Sequence, residues 1–229
     1  MRYSANLNVI LKAIEKASVH MPRDFTELEH LQVNPSTADK FAAACYRKVK
    51  KILIDDLSKI RPDYNLIFAD GEKIIRSEDA EYSYVIYPID GFSNLMRSNP
   101  DFTVAVALEH KNKNGEKEPI SVAISKIFGS ELYYCEKGFG AYLNNRRIRV
   151  SKRNSASISA EVVAVNEIEK GSRNYGARTL ALAYMASAKI EKVVFAKEGS
   201  ELIKPFTLLI REAGGRVVED EKSLAALNV

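Results

Sequence analysis

Two acidic residues follow short apolar segments of the kind that forms buried strands. Glu72 comes shortly after the segment NLIFA at residues 65–69, and Asp90 lies inside the segment YVIYPIDGFSNLMRSNPDFTVAVAL at residues 84–108. We expect the second segment to begin as a strand and to break at Pro88, because proline has no N–H to give to a sheet. An acidic side chain at such a break faces a cleft, and carboxylate oxygens in a cleft are the ligands that hard cations prefer.

Five residues of this segment share the order and spacing of a known signature, D-P-I-D-G-T-x-N: Pro88, Ile89, Asp90, Gly91 and Asn94. That signature belongs to the inositol monophosphatase family, which the segment resembles. Two positions depart from it. Tyr87 stands where the family has its first Asp, and Phe92 stands where it has Thr.

Further segments resemble motifs of the same family in the same order along the chain. Residues 37–39 resemble its T-E-x-D helix, residues 71–72 its G-E-E, and residues 136–148 its R-G-x-G-A-x-x-N-G segment. Residues 173–184 follow R-x-x-G-S-A-A-L-D-L-A-Y, and residues 211–215 (REAGG) copy an end motif. The resemblance covers nearly the whole chain, and among bacterial members the chain is most similar to the SuhB type.

The resemblance implies a chemistry. The family hydrolyses phosphate monoesters with Mg²⁺, and a pair of such cations can clamp the transferring phosphoryl group and activate a water. By position, the metal ligands of the family fall on Glu72, the backbone carbonyl of Ile89, and Asp90. The substrate contacts that the resemblance implies fall on Asp90, Gly91 and Gly176.

Two ligand positions lack a carboxylate. The bridging Asp of the family is replaced by Tyr87, whose phenol is neutral at pH 7, and the Asp of its W-D-x-A-A-G motif falls on Leu202. Several positions that are small or polar in the family carry larger side chains here: Phe92, Phe195, Lys204, Pro205 and Phe206. We therefore expect a degenerate site, filled by these side chains, with no confident catalytic residue and without the parts for two-metal catalysis.

The remaining acidic residues have two interpretations. In the first, Glu72 and Asp90 are remnants, solvated or paired with Lys73, whose ammonium group would replace part of the charge of a metal ion. Lys73 pointing to solvent is the simpler alternative. In the second, the two acids keep one Mg²⁺ site, and Glu201, beside the lost ligand position, completes it.

Three functions follow as hypotheses. The first is a non-catalytic member that acts by binding, and the resemblance to the SuhB type implies RNA polymerase or Nus-type factors as partners. The second is an active Mg²⁺-dependent phosphatase of inositol monophosphates or other sugar phosphates, which takes its missing ligands from other positions. The third is a sensor that binds a phosphorylated metabolite without cleaving it.

Composition excludes several other classes. The 229 residues carry a net charge of +4, from 34 basic and 30 acidic residues, which gives no sign of nucleic-acid binding because such binding needs basic residues clustered on one face. Cys45 and Cys135 have no C-x-x-C spacing and are interpreted as reduced thiols. No apolar run reaches the ~20 residues of a membrane helix, and no secretory signal is visible. We expect a cytoplasmic protein with no cofactor other than a residual Mg²⁺.

The predicted elements indicate a layered α/β fold. Apolar spacing predicts a helix over residues 6–17, a short strand at residues 28–33 and a second helix from Ser36 to near Pro62. A block of strands follows up to residue 150, and the last helix is predicted over residues 203–213.

The resemblance makes this fold an αβαβα sandwich in a single domain, residues 1–229. Residues 1–150 form an N-terminal half with the metal motifs, and residues 158–229 form a C-terminal α/β half. The family is commonly a homodimer, which we expect here as well.

Overall fold

A computed structural model describes residues 4–153, 162–164 and 173–228 of the chain. The helices of these residues are α1 (Ala5–Ser18), α2 (Met21–Leu31), α3 (Pro35–Ile60), α4 (Phe92–Met96), α5 (Arg178–Ala186) and α6 (Leu208–Glu212), and a 3-10 helix (Lys204–Thr207) precedes α6. The strands are β1 (Asn65–Phe68), β2 (Lys73–Ile74), β3 (Tyr82–Asp90), β4 (Thr103–Lys111), β5 (Lys117–Lys126), β6 (Glu131–Glu136), β7 (Gly140–Leu143), β8 (Arg146–Ile148), β9 (Val162–Ala164), β10 (Lys192–Ala196), β11 (Arg216–Glu219) and β12 (Ser223–Leu227).

The strands form two sheets. The large sheet has the order β2-β1-β3-β4-β5-β6-β7-β8, and the small sheet has the order β11-β12-β10-β9. Neighbouring strands are antiparallel except for two parallel pairs, β1 with β3 and β9 with β10. The parallel pair in the large sheet matters for the site, because the carboxyl ends of its two strands, β1 and β3, lie side by side.

The first layer of helices covers one face of the large sheet. In α1, the buried residues Leu7, Ile10, Ile14 and Ala17 recur every three or four positions, and Ser4 caps the helix by accepting a hydrogen bond from the backbone N–H of Leu7. The long helix α3 buries a similar stripe that includes Ala38, Ala42, Cys45, Val49, Leu53 and Leu57. Cys45 therefore lies in the core between the helices and the large sheet.

A second core lies on the opposite face of the large sheet. There α5 and α6 pack between the two sheets, and residues of both sheets contribute to one apolar cluster, including Cys135 from β6 and Phe195 from β10. The described residues therefore alternate in four layers, outer helices, large sheet, inner helices and small sheet, which confirms the predicted layered α/β fold. No helix among the described residues is long and apolar enough to cross a membrane.

Two local predictions were wrong. Residues 28–31 belong to α2 rather than to a strand, because Met21, Phe25 and Leu28 are buried at helical spacing. Strand β3 continues through Pro88 to Asp90, and a register shift between Tyr87 and Asp90 accommodates the proline.

The helix predicted over residues 203–213 begins as the 3-10 helix and becomes α-helical at Leu208. Pro205 lies in its first turn, where a missing N–H costs least.

Candidate functional site

The residues predicted to form the site converge at one edge of the large sheet. A hollow of about 490 Å³ opens where β1 and β3 end, next to α3 and α4. Its lining includes Asp70, Tyr87, Ile89, Asp90, Gly91 and Phe92. Arg47 and Tyr46 of α3 form the opposite wall.

Asp90 is buried, and its carboxylate accepts hydrogen bonds at the N-terminus of α5. Oδ2 accepts hydrogen bonds from the backbone N–H of Thr179 at 2.5 Å and from the Thr179 hydroxyl at 2.7 Å. Thr179 lies in the first turn of α5, so Asp90 satisfies one of the N–H groups that have no partner within the helix. Burial raises the pKa of Asp90, while the hydrogen bonds from Thr179 act in the opposite direction. The carboxylate that the family uses as a metal ligand is thus occupied by backbone and hydroxyl donors.

Gly91 and Gly176, which the resemblance makes substrate-binding, both lie close to Asn94: Gly176 packs against its side chain, and Gly91 packs against the carbonyl of Asp101, to which that side chain donates. The Asn94 amide donates to the backbone carbonyls of Asp101 at 2.6 Å and Tyr175 at 2.7 Å. Gly91 has a φ of +85°, and a Cβ at that position would lie 2.9 Å from the carbonyl oxygen of Asp101. This part of the signature holds the segments around residues 101 and 175 against β3.

An ion cluster lies beside the hollow and contains a residue that the sequence analysis missed. The ammonium group of Lys50, from α3, is 2.5 Å from the carboxylate of Asp70 and 2.7 Å from that of Glu72. The hydroxyl of Tyr46 donates to Asp70 at 2.8 Å, and the ammonium group also lies 4.5 Å from the ring centroid of Phe68. Lys50 is 9% exposed. A lysine beside the buried stripe of an amphipathic helix is the signal that could have identified it.

The pKa shifts of the cluster follow from these contacts. Desolvation is the largest single effect on Lys50 and lowers its pKa, but the hydrogen bonds to Asp70 and Glu72 outweigh it and the pKa is raised. Desolvation likewise acts to raise the pKa of Asp70, whereas the hydrogen bonds from Lys50, Tyr46 and the backbone N–H of Glu72 lower it overall. Both shifts favour the charged forms, so the pair is ionised at neutral pH.

The ligand positions without a carboxylate are part of the second core. Tyr87 is buried, and its ring lies edge-on to Phe206 at a centroid distance of 5.4 Å. Desolvation by burial raises the pKa of this phenol. Leu202 packs against the same core, and Phe195 is buried in it.

The predicted filling of the cleft is only partly correct. Phe206 and Phe195 occupy the inner side, but Phe92 is half-buried against Tyr46 at a centroid distance of 5.6 Å, and the hollow stays open beside it.

Lys73 and Glu201 do not lie with the acids. Both line a different hollow, of about 440 Å³, between the large sheet and the 3-10 helix. Lys73 is exposed and forms no ion pair with a carboxylate of the described part of the chain. Of the two alternatives for Lys73, the structure agrees with the one in which its side chain faces solvent. The ammonium group beside the acids comes from Lys50, which α3 presents to the turn after β1.

The donor set does not fit Mg²⁺. The ion prefers an octahedral shell of oxygen atoms, and in residues 4–153, 162–164 and 173–228 no group of three or more His, Cys, Asp or Glu side chains is placed to hold a metal. Glu72 is paired with Lys50, and Asp90 is bonded to Thr179.

Comparison with known proteins agrees with the fold and the motifs. Residues 2–225 match the model of the inositol monophosphatase family. The chain is 30% identical to an inositol-1-monophosphatase of Rhizobium meliloti, over 94% of this chain and 85% of that protein. It is 28% identical to Nus factor SuhB of Xylella fastidiosa, over 93% of this chain and 81% of that protein.

The crystal structure of the extragenic suppressor protein SuhB from Bartonella henselae superposes with a TM-score of 0.81. Sequence identity in that comparison is 28%, and the match covers 99% of this chain and 94% of the other. The layered sheets, the signature around Asp90 and these matches identify the chain as a member of the inositol monophosphatase family.

Proposed function

We propose that this chain is a catalytically inactive member of its family that acts by binding, with a component of the transcription machinery as its partner. The observation that carries the proposal is the position of Lys50, whose ammonium group lies between Asp70 and Glu72. A permanent cation from the protein repels a divalent metal ion and already neutralises the carboxylates that would attract one.

Two further features support the loss of catalysis. Tyr87 and Leu202 offer no carboxylate at the positions where the family holds its metals, and Asp90 satisfies the N-terminus of α5. Positioned cations supply most of the stabilisation in phosphoryl transfer, and losing even one stabilising donor costs about 10²–10³ in rate.

The partner is inferred from relatives. The proteins of Xylella fastidiosa, Vibrio cholerae and Pseudomonas aeruginosa to which this chain is similar carry the name Nus factor SuhB. A role in transcription needs no phosphatase chemistry, so it suits a chain whose carboxylates already have protein partners.

Phosphate release tests the first half of the proposal. We expect purified protein to release no phosphate from inositol monophosphates above background at millimolar Mg²⁺. Robust release that Asp90→Asn abolishes, in a variant whose melting temperature is preserved, would return the chain to the working phosphatases.

Co-elution tests the second half. We expect the purified protein to form a complex with RNA polymerase or with a single Nus factor of its own organism on size-exclusion chromatography. If it co-elutes with neither, alone or in mixtures, the proposed partner is wrong even where the absence of catalysis holds.

A further inference from the structure

Three arginines from two separate elements surround a hollow at the far edge of the large sheet. Arg147 lies in the edge strand β8, Arg149 follows that strand, and Arg211 comes from α6. The hollow has a volume of about 220 Å³. All three side chains are exposed, and none forms an ion pair with a carboxylate of the described residues. We call these three residues the arginine cluster.

The acidic side chain that lines this hollow does not neutralise the cluster. Both carboxylate oxygens of Glu212 accept backbone hydrogen bonds, from Gly138 at 2.8 Å and from Gly140 at 2.7 Å. These bonds hold the turn between β6 and β7 against the end of α6. Three guanidinium groups line the hollow together with one carboxylate, so the lining keeps a net positive charge.

An exposed aromatic residue lies in the chain between two residues of the lining. Phe139 is 67% exposed and stands between Gly138 and Gly140, both of which line the hollow. A Cβ at Gly140 would be 3.1 Å from the Nε atom of Arg147, so the guanidinium group of Arg147 lies directly over the turn that carries Phe139. Among the exposed large apolar side chains of the described residues, Phe139 is the one aromatic ring, and an exposed ring offers a face on which a base can stack.

We propose that the arginine cluster and Phe139 bind single-stranded RNA. Guanidinium groups bind phosphates in a fork geometry, and proteins that hold single strands combine such charges with aromatic rings on which bases stack. A simple phosphate anion would not need the aromatic ring, and the paired bases of a duplex could not reach it. The choice of RNA over DNA rests on the proposed association with the transcription machinery, while RNA binding itself can be measured without any partner protein.

The cluster also qualifies the argument from total charge. A net charge of +4 gives no sign of a nucleic-acid footprint, but the fold brings residue 211 next to residues 147 and 149. What counts for binding is the local density of unpaired basic groups.

Fluorescence anisotropy with a labelled RNA strand of about a dozen nucleotides tests the proposal, since this length is within the range of known single-strand sites. The triple variant Arg147→Gln, Arg149→Gln and Arg211→Gln should bind at least about tenfold more weakly. The slope of the logarithm of the binding constant against the logarithm of the salt concentration should become about 2 less steep in this variant. Each lost phosphate contact on a single strand contributes about 0.7 to that slope.

A matched control removes the same total charge elsewhere. Lys12, Arg23 and Lys40 are exposed on α1, α2 and α3, which cover the face of the large sheet opposite to α6. Their triple change to Gln should alter the dissociation constant less than about twofold if the cluster is the site. An equal loss in both triple variants would mean that only net charge matters and would overturn the proposal.

Phe139→Ala separates RNA from a plain anion. Loss of one stacked base should weaken RNA binding about tenfold and leave binding of inorganic polyphosphate unchanged. Unchanged RNA binding in this variant, or equal affinity for duplex RNA, would contradict the single-strand site, and tighter binding of a DNA strand of the same sequence would overturn the choice of RNA. Circular dichroism and the melting temperature check the folding of each variant.

Discussion

Lys50 supplies, as a covalently attached charge, what a bound cation would otherwise supply at this edge of the sheet. Its ammonium group contacts two carboxylates and lies against the Phe68 ring, with its side chain 11% exposed. A partly desolvated ammonium group is stable only when opposite charges compensate it. Asp70 and Glu72 provide that compensation, so removing any member exposes the others to an unbalanced charge.

Replacing Lys50 tests this dependence. We expect Lys50→Met to lower the free energy of unfolding by about 1–2 kcal/mol, between the values for exposed and for buried ion pairs, because both acids are partly exposed. Urea denaturation at neutral pH measures the change. Lys51→Met is the control, since its pair with Asp55 is an exposed contact four residues apart in the same helix, and it should change stability by less than about 0.5 kcal/mol. Equal effects in the two variants would remove the special role of Lys50.

The same cluster predicts a pH dependence with a definite sign. The pKa of Asp70 is lowered from 3.8 in the folded state, so its stabilisation is present above pH 3.8 and is lost as the pH falls through the folded pKa. The pKa of Lys50 is raised from 10.5, so its stabilisation is present below pH 10.5 and is lost as the pH rises through the folded pKa.

The difference in the free energy of unfolding between the unmodified protein and Lys50→Met should therefore be largest between pH 3.8 and pH 10.5 and should decrease in stronger acid and in stronger base. Denaturation curves across this range measure it, and a difference that grows in acid would contradict the assignment.

At the scale of elements, Asp90 joins two parts of the fold that are far apart in sequence. It ends β3 and accepts hydrogen bonds from the backbone N–H and the hydroxyl of Thr179 in the first turn of α5, so the position of α5 between the sheets depends on it. We expect Asp90→Ala to cost about 1–3 kcal/mol, the usual cost of leaving buried donors without an acceptor. Asp90→Asn keeps one acceptor oxygen and should cost less. Thermal unfolding of both variants measures the order, and a reversed order would show that an acceptor oxygen at position 90 is not what stabilises this contact.

The sequence carried enough information for most elements but not for the contacts between them. Helices α1 and α3 and the strands from β3 to β6 have clear periodicity, and they form where the pattern predicts. The strand predicted at residues 28–33 is not observed. Met21, Phe25 and Leu28 are buried at helical spacing, so these residues continue α2 instead. Lys50 and Glu72 are 22 positions apart, and no local pattern links a buried lysine on a helix to an acid on a turn. Adjacency suggested Lys73, which the fold places in another hollow.

At the scale of the whole molecule, we expect that Mg²⁺ does not change the stability of the folded protein. A ligand that binds only the folded state raises the melting temperature in proportion to its binding free energy. We expect the melting temperature in millimolar Mg²⁺ to equal the melting temperature measured with a chelator. The double variant Tyr87→Asp with Leu202→Asp, combined with Lys50→Met, restores carboxylates and removes the competing cation, and it should gain a Mg²⁺-dependent shift without gaining turnover. If Mg²⁺ raised the melting temperature of the unmodified protein by several degrees, this would contradict the proposal that Lys50 takes the place of a bound cation.

The two cysteines allow the opening of each core to be timed separately. Cys45 lies in the core under the outer helices, and Cys135 lies in the core between the two sheets. Burial raises the pKa of Cys45 to about 11 and that of Cys135 well above its usual value, so neither thiol reacts with a disulfide reagent until its surroundings open. Because α3 is covered by protein on one side only, Cys45 should be modified first under native conditions, as followed by mass spectrometry of timed samples. Simultaneous modification would show that the helical layer and the inner core separate from the sheet in a single step.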